Sequence, residues 1–279
     1  MDQGVIRPSD RINRSGSLTW AIVIARVLLG ALLIISVVVR LFFGEQSSSG
    51  FPPGAQAWIS AMDATGYLRP LLFLTEFIVG IALIIGRFVP LALIVFAPIQ
   101  INITLFHLFL DPRPIRLVQI VLMSAACVLL AWHHRHAFAP ILQAPPQATL
   151  LTLRQGAEST TSMVVRTLLG ALFVVTGLAK LIFGGPQEPT AFVIAMQETG
   201  YLYTLLAQLE VLVGVALISG RLVLLALIVL TPLLVNILAY HLFIELTSPM
   251  SLVAVLATVA ASYLTWQERE RVWHLFRSV

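Results

Sequence analysis

The chain has 279 residues, of which 58% are hydrophobic and only 11% charged, with a formal net charge of +4. Soluble domains run near a quarter charged, so this balance excludes an ordinary globular domain and places the chain in a lipid bilayer. The arginines flank apolar runs, which speaks against nucleic acid as a partner, and the single cysteine, Cys127, excludes thiol exchange within the chain.

In chain order, residues 1–19 are polar, and no small-residue cleavage site follows a short apolar core. The expectation is that no signal peptide is cleaved and that the first helix directs its own insertion. A membrane helix needs about twenty apolar residues. Such spans are predicted at Trp20–Phe43, Leu68–Ile85, Phe88–Leu110 and Ile115–Trp132. Four more follow at Met163–Phe183, Leu202–Ser219, Leu222–Ile244 and Pro249–Trp266.

Between the first two spans of each set lies a longer segment. In the first of these, Ala57–Ala64 places Trp58, Ile59 and Met62 on one side, which suits a short helix along the outer interface. Gly66 and Gly200 would end such helices, and Tyr67 and Tyr201 would anchor the next spans at the headgroups. Such a helix either seals the bundle or covers a site. The stretch His133–Ser162, with Pro140, Pro145 and Pro146, reads as a polar linker. Its His133, His134 and His136 resemble metal ligands, yet Gln267, Glu268 and Glu270 stand at the matching later positions, so a solvated face is expected and no metal site.

The sequence repeats itself. ARVLLGALLIISVVVRLFFG, ending at Gly44, returns as VRTLLGALFVVTGLAKLIFG, ending at Gly184, and Ala61–Asp111 returns as Ala195–Glu245 with roughly half its positions identical. The expected fold is therefore all-α: a polytopic membrane protein with eight transmembrane helices in two four-helix modules, residues 20–132 and 163–266. Segments 1–19, 133–162 and 267–279 lie outside them. An even number of spans per module gives both copies the same orientation, hence parallel repeats about an axis along the membrane normal, which weakens an alternating-access transporter. With both termini inside, twelve arginines fall on the inner side and five Lys or Arg outside, which favours both termini in the cytoplasm.

Polar residues kept in both copies are the site candidates: Arg40 and Lys180, Glu76 and Glu210, Asn102 and Asn236, His107 and His241. Counting from the helix ends at about 1.5 Å per residue puts all of them in the outer half of the membrane. A carboxylate near mid-bilayer costs at least roughly 2.5 kcal/mol, so Glu76 and Glu210 should face inward, with Arg40 and Lys180 as their natural partners. Gly80 and Gly214, one turn below the glutamates, would let another helix approach. Asp111 and Glu245 lie one turn from His107 and His241 and can fix the tautomer of each imidazole from behind. Asn102 and Asn236, each one turn past a proline, add amides. Glu76, His107, Glu210 and His241 are thus candidate proton-handling catalytic residues. Arg40, Asn102, Lys180 and Asn236 are candidate ligand-binding groups, and the set suits the two oxygens of a quinone head. The same residues can equally be interhelical glue. No CxxCH motif attaches a haem, and a quinone is the better-fitting cofactor.

A first helix with Gly30 and Arg40 (Gly170 and Lys180), a second with Glu76 and Gly80 (Glu210 and Gly214), and a third ending in His107 (His241) resemble the DoxX family of four-helix bacterial inner-membrane proteins. The likeness covers Trp20–Trp132 and Met163–Trp266, as a tandem fusion, and Arg40 departs from the usual lysine. It implies a membrane subunit of a quinone-linked oxidoreductase system, working beside a redox partner protein, with no reaction assigned to most members. The alternatives are a non-enzymatic partner-binding or assembly protein and a small-solute transporter. Oligomeric state is not encoded in any motif here.

Overall fold

The computed structural model describes residues 8–43, 50–142 and 159–277. Described elements are helices: α1 (Pro8–Phe42), α2 (Pro53–Ala64), α3 (Leu68–Ile85), α4 (Val89–Phe109), α5 (Pro114–His133) and α6 (Arg135–Leu142). They continue with α7 (Thr160–Phe183), α8 (Ala191–Glu198), α9 (Leu202–Ser219), α10 (Val223–Phe243), α11 (Pro249–Gln267) and α12 (Arg269–Arg277). Eight of them are long and apolar enough to cross a bilayer: α1 from Trp20, α3, α4, α5, α7, α9, α10 and α11. The shortest spans, Leu68–Ile85 and Leu202–Ser219, have 18 residues, or about 27 Å at 1.5 Å per residue. The chain is an all-helical, polytopic integral membrane protein.

Each span ends where its sequence stops supporting a helix. Pro begins α5 and α11, where its missing N–H is no loss, and Gly86, Gly184 and Gly220 close α3, α7 and α9 in the left-handed conformation at φ 81°, 75° and 70°. Two separate apolar cores form. One joins α1, α3, α4 and α5 around Leu33, Leu83 and Phe96; the other joins α7, α9, α10 and α11 around Phe173, Leu217 and Leu230. Large apolar side chains such as Leu28, Ile78, Leu122, Leu168, Leu212 and Leu252 are exposed on the outside, which is the surface a lipid phase requires. Trp20, Trp132 and Trp266, also exposed, lie at the linker end of the membrane spans of α1, α5 and α11, where headgroups favour indoles.

Three differences from the sequence reading have physical causes. Helix α1 begins at Pro8, because extending an established helix adds one hydrogen bond per residue without a new nucleus. The linker and the C-terminal segment are not merely polar. Their first residues form α6 and α12, which pack on each other, and α6 also packs on α10 and α12 on α4. Ile141 of α6 is buried against Leu224 with Phe138 and Val272 beside them, a spacing of apolar residues hidden among charges. Finally, Trp58 of α2 is buried instead of lying in the interface, its ring 5.5 Å from that of Phe192 on α8. The two short helices thus cover the space where the modules meet.

Candidate functional site

The pairing of acid and base follows from how α1 meets α3. Gly30 and Gly80 face each other, and a Cβ on Gly30 would lie 2.7 Å from the Gly80 carbonyl oxygen. Gly170 and Gly214 make the same approach between α7 and α9, at 2.8 Å. The paired helices are antiparallel, and side chains lean toward the N-terminus of their own helix. Arg40 therefore leans down from the end of α1 while Glu76 leans up from α3, and they meet.

Arg40 Nη2 donates to Glu76 Oε2, and Arg40 Nε donates to the Ser36 carbonyl at 3.0 Å. Lys180 Nζ lies 2.7 and 2.6 Å from the two oxygens of Glu210, and Thr176 Oγ1 donates to the same carboxylate at 3.2 Å. The glutamate side chains are only 3% and 2% exposed, whereas Arg40 and Lys180 are 30% and 26% exposed. Each acid is thus turned from lipid and paired inside its own module.

The histidines make a second pair of clusters. His107 Nδ1 is 3.0 Å from Asp111 Oδ2, and Arg113 Nη2 donates to that oxygen at 2.8 Å. Burial raises the Asp111 carboxyl, but the hydrogen bond and charge of Arg113, with His107, outweigh it and hold the group below its ordinary value. The second copy is looser. Glu245 is one methylene longer, Thr247 replaces the arginine, and Tyr240 stands where the first copy has Phe106. The Tyr240 hydroxyl donates to Glu245 Oε1 at 2.7 Å, leaving His241 Nδ1 3.5 Å from the other oxygen, buried and without a hydrogen bond.

The asparagines look across to the other module. Tyr201 Oη donates to Asn102 Oδ1 at 2.9 Å, and Tyr67 Oη reaches the Asn236 backbone carbonyl at 3.5 Å. Tyr201 stacks on Phe109 and Tyr67 on Phe243, with ring centroids 5.2 and 5.4 Å apart. Burial pushes the Tyr67 phenol up to about 12 and that of Tyr201 up as well, so both stay protonated donors. Asn236 Nδ2 donates to the Pro232 carbonyl, one turn earlier in the same helix, at 2.9 Å, while its Oδ1 is buried without a partner.

The expected constellation is therefore divided. Arg40 with Glu76 and Lys180 with Glu210 come together, as do His107 with Asp111 and, more loosely, His241 with Glu245; among the described residues no hydrogen bond or ion pair joins Glu76 or Glu210 to a histidine. In the second module the Lys180 ammonium is within coulombic range of His241. Asn102 and Asn236 belong to the seam between modules. Sequence reasoning missed Arg113, Thr176 and the seam role of Tyr67 and Tyr201. The tyrosines carried a signal, since both copies keep them, but headgroup anchoring explained it equally well. His133 and His136 are exposed, and no group of three metal-ligating side chains occurs among the described residues. Neither a protein-family model, nor a curated protein, nor a solved structure matches the chain.

Proposed function

We propose that this integral membrane protein is a DoxX-like, non-catalytic subunit that assembles with or binds a partner in the membrane, and that its intramembrane acids are structural. The observation that carries this is the closed pairing of Glu76 and Glu210: each is buried and bonded to the basic residue of the adjacent helix, with no link to an imidazole. A buried carboxylate with both oxygens engaged in one module is poorly placed to exchange protons with a substrate. The repeat pattern supports two parallel four-helix modules, the Lys and Arg distribution supports both termini in the cytoplasm, and the DoxX likeness supports a bacterial inner membrane.

A second reading, the quinone-linked oxidoreductase subunit, is favoured by one feature of the second module. There His241 Nδ1 is buried and unbonded, and Lys180, a quarter exposed, acts on it electrostatically. An acceptor oxygen of a quinone head would suit that vacant ring nitrogen in its protonated tautomer. Purification in mild detergent, followed by an absorbance spectrum and lipid extraction, separates the two. The assembly reading expects no flavin, haem or stoichiometric quinone. A quinone recovered at one per chain, and lost on His241→Phe, would replace it.

A further inference from the structure

The modules differ where their first two membrane helices meet near α2 and α8. In the second module, Gly177 lies so close to α9 that a Cβ there would be 2.7 Å from the Ala207 carbonyl oxygen. Val37 and Phe73 occupy those positions in the first module. Their bulk holds α1 off α3, and the two helices pack less closely than α7 and α9 do. A groove of about 600 Å³ opens there, with apolar walls that include Val38, Leu41, Leu74 and Phe77, a volume within the range of about 300–1,000 Å³ typical of ligand sites.

Its rim is polar and of both signs. Asp63 and Arg69 line it and pair at 2.6 Å, their side chains 36% and 20% exposed. The Phe73 ring carries two guanidinium groups, Arg40 at 4.6 Å and Arg69 at 5.6 Å from its centroid. Arg40 uses Nε and Nη2 for Ser36 and Glu76, and its Nη1 makes no hydrogen bond among the described residues. The second copy has Gln197, Tyr203 and Ala207 in place of Asp63, Arg69 and Phe73.

The charges of Arg40, Arg69, Glu76 and Asp63 cancel, so an anionic head would bring uncompensated charge next to Asp63. An exposed ion pair contributes little, and its halves can exchange partners for the opposite halves of a zwitterion. We propose that this groove of the first module holds one phospholipid whose head carries a primary ammonium and a phosphate. The ammonium donates to Asp63, the phosphate accepts from Arg69 and Arg40 Nη1, and one acyl chain lies between α1 and α3 along Leu41, Leu74 and Phe77.

The test is native mass spectrometry of the full chain after incubation with mixed micelles containing equal phosphatidylethanolamine and phosphatidylglycerol. The wild type should retain one phosphatidylethanolamine over phosphatidylglycerol by about tenfold, the scale of one charge-assisted contact. Arg69→Tyr, which installs the second copy's residue, should lose that retention. Asp63→Gln leaves a cationic rim and should invert the preference toward phosphatidylglycerol. Melting temperatures of both variants in lipid-free detergent should stay near wild type, since the pair is on the surface. Equal retention of the two lipids by the wild type, an unchanged preference in Asp63→Gln, or a quinone in place of the phospholipid would each overturn the assignment.

Discussion

Replacing Glu210 by glutamine keeps the shape of the side chain and removes its charge. The carboxylate accepts from Lys180 at 2.7 and 2.6 Å and from Thr176 at 3.2 Å. A hydrogen bond to a charged group contributes about 1.5–3 kcal/mol net and a neutral one about 0.5–1.5 kcal/mol, so each Lys180 contact weakens by about 1 kcal/mol and the pair by about 2 kcal/mol. Lys180, with 26% of its side chain exposed, can turn toward the headgroups, which keeps the loss below the about 3–5 kcal/mol of a stranded buried ion. At about 2–4 °C per kcal/mol, the melting temperature should fall by about 4–8 °C. Thermal unfolding in detergent, followed by tryptophan fluorescence, measures this directly. Adding Lys180→Met to the variant should recover part of the loss, because the unpaired cation is gone. A melting temperature for Glu210→Gln indistinguishable from wild type would refute the structural role and return the acid to the list of ligand or proton sites.

Further expectations follow from the same geometry. Gly170→Ala should destabilise the second module by about 1–3 kcal/mol in the same unfolding assay, since the new Cβ would sit 2.8 Å from the Gly214 carbonyl oxygen. Tyr201→Phe should lower stability by about 1 kcal/mol through the lost bond to Asn102, whereas Tyr67→Phe should cost less because its contact to Asn236 is 3.5 Å long; equal losses would contradict the seam geometry. For Asp111 the folded carboxyl lies below its ordinary value of 3.8, so its stabilising effect is complete above that pH and fades as pH falls through the lower folded value. The gap in melting temperature between wild type and Asp111→Asn should accordingly be constant near neutral pH and close only below 3.8; a gap that closes at higher pH would show that Arg113 does not hold the acid down.

The candidate site was partly legible because the duplication works as an internal comparison. Glu76 and Glu210, with a glycine one turn away and a basic residue ending the neighbouring helix, announce their own pairing, since lipid leaves a buried acid few alternatives. Residues present in only one copy gave no such signal. Arg113, which clamps Asp111, and the set of Asp63, Arg69 and Phe73 have no counterparts, and nothing in their spacing marks them. The short helices α6 and α12 were hidden for another reason: their apolar residues are few and cover a contact with the opposite module, so hydropathy alone reads them as polar tails.

What the sequence determined by itself is the set of spans, because each apolar stretch must satisfy its backbone bonds internally and its length must match the hydrocarbon core; Leu68–Ile85 and Leu202–Ser219 are fixed to the residue. What only the tertiary structure decided is where the polar side chains point around each helix. Periodicity is faint in helices apolar on nearly every face, and so Asn102 and Asn236 could not be seen to serve the seam with Tyr201 and Tyr67, nor Phe73 to lie beneath Arg40 and Arg69, until the helices were packed.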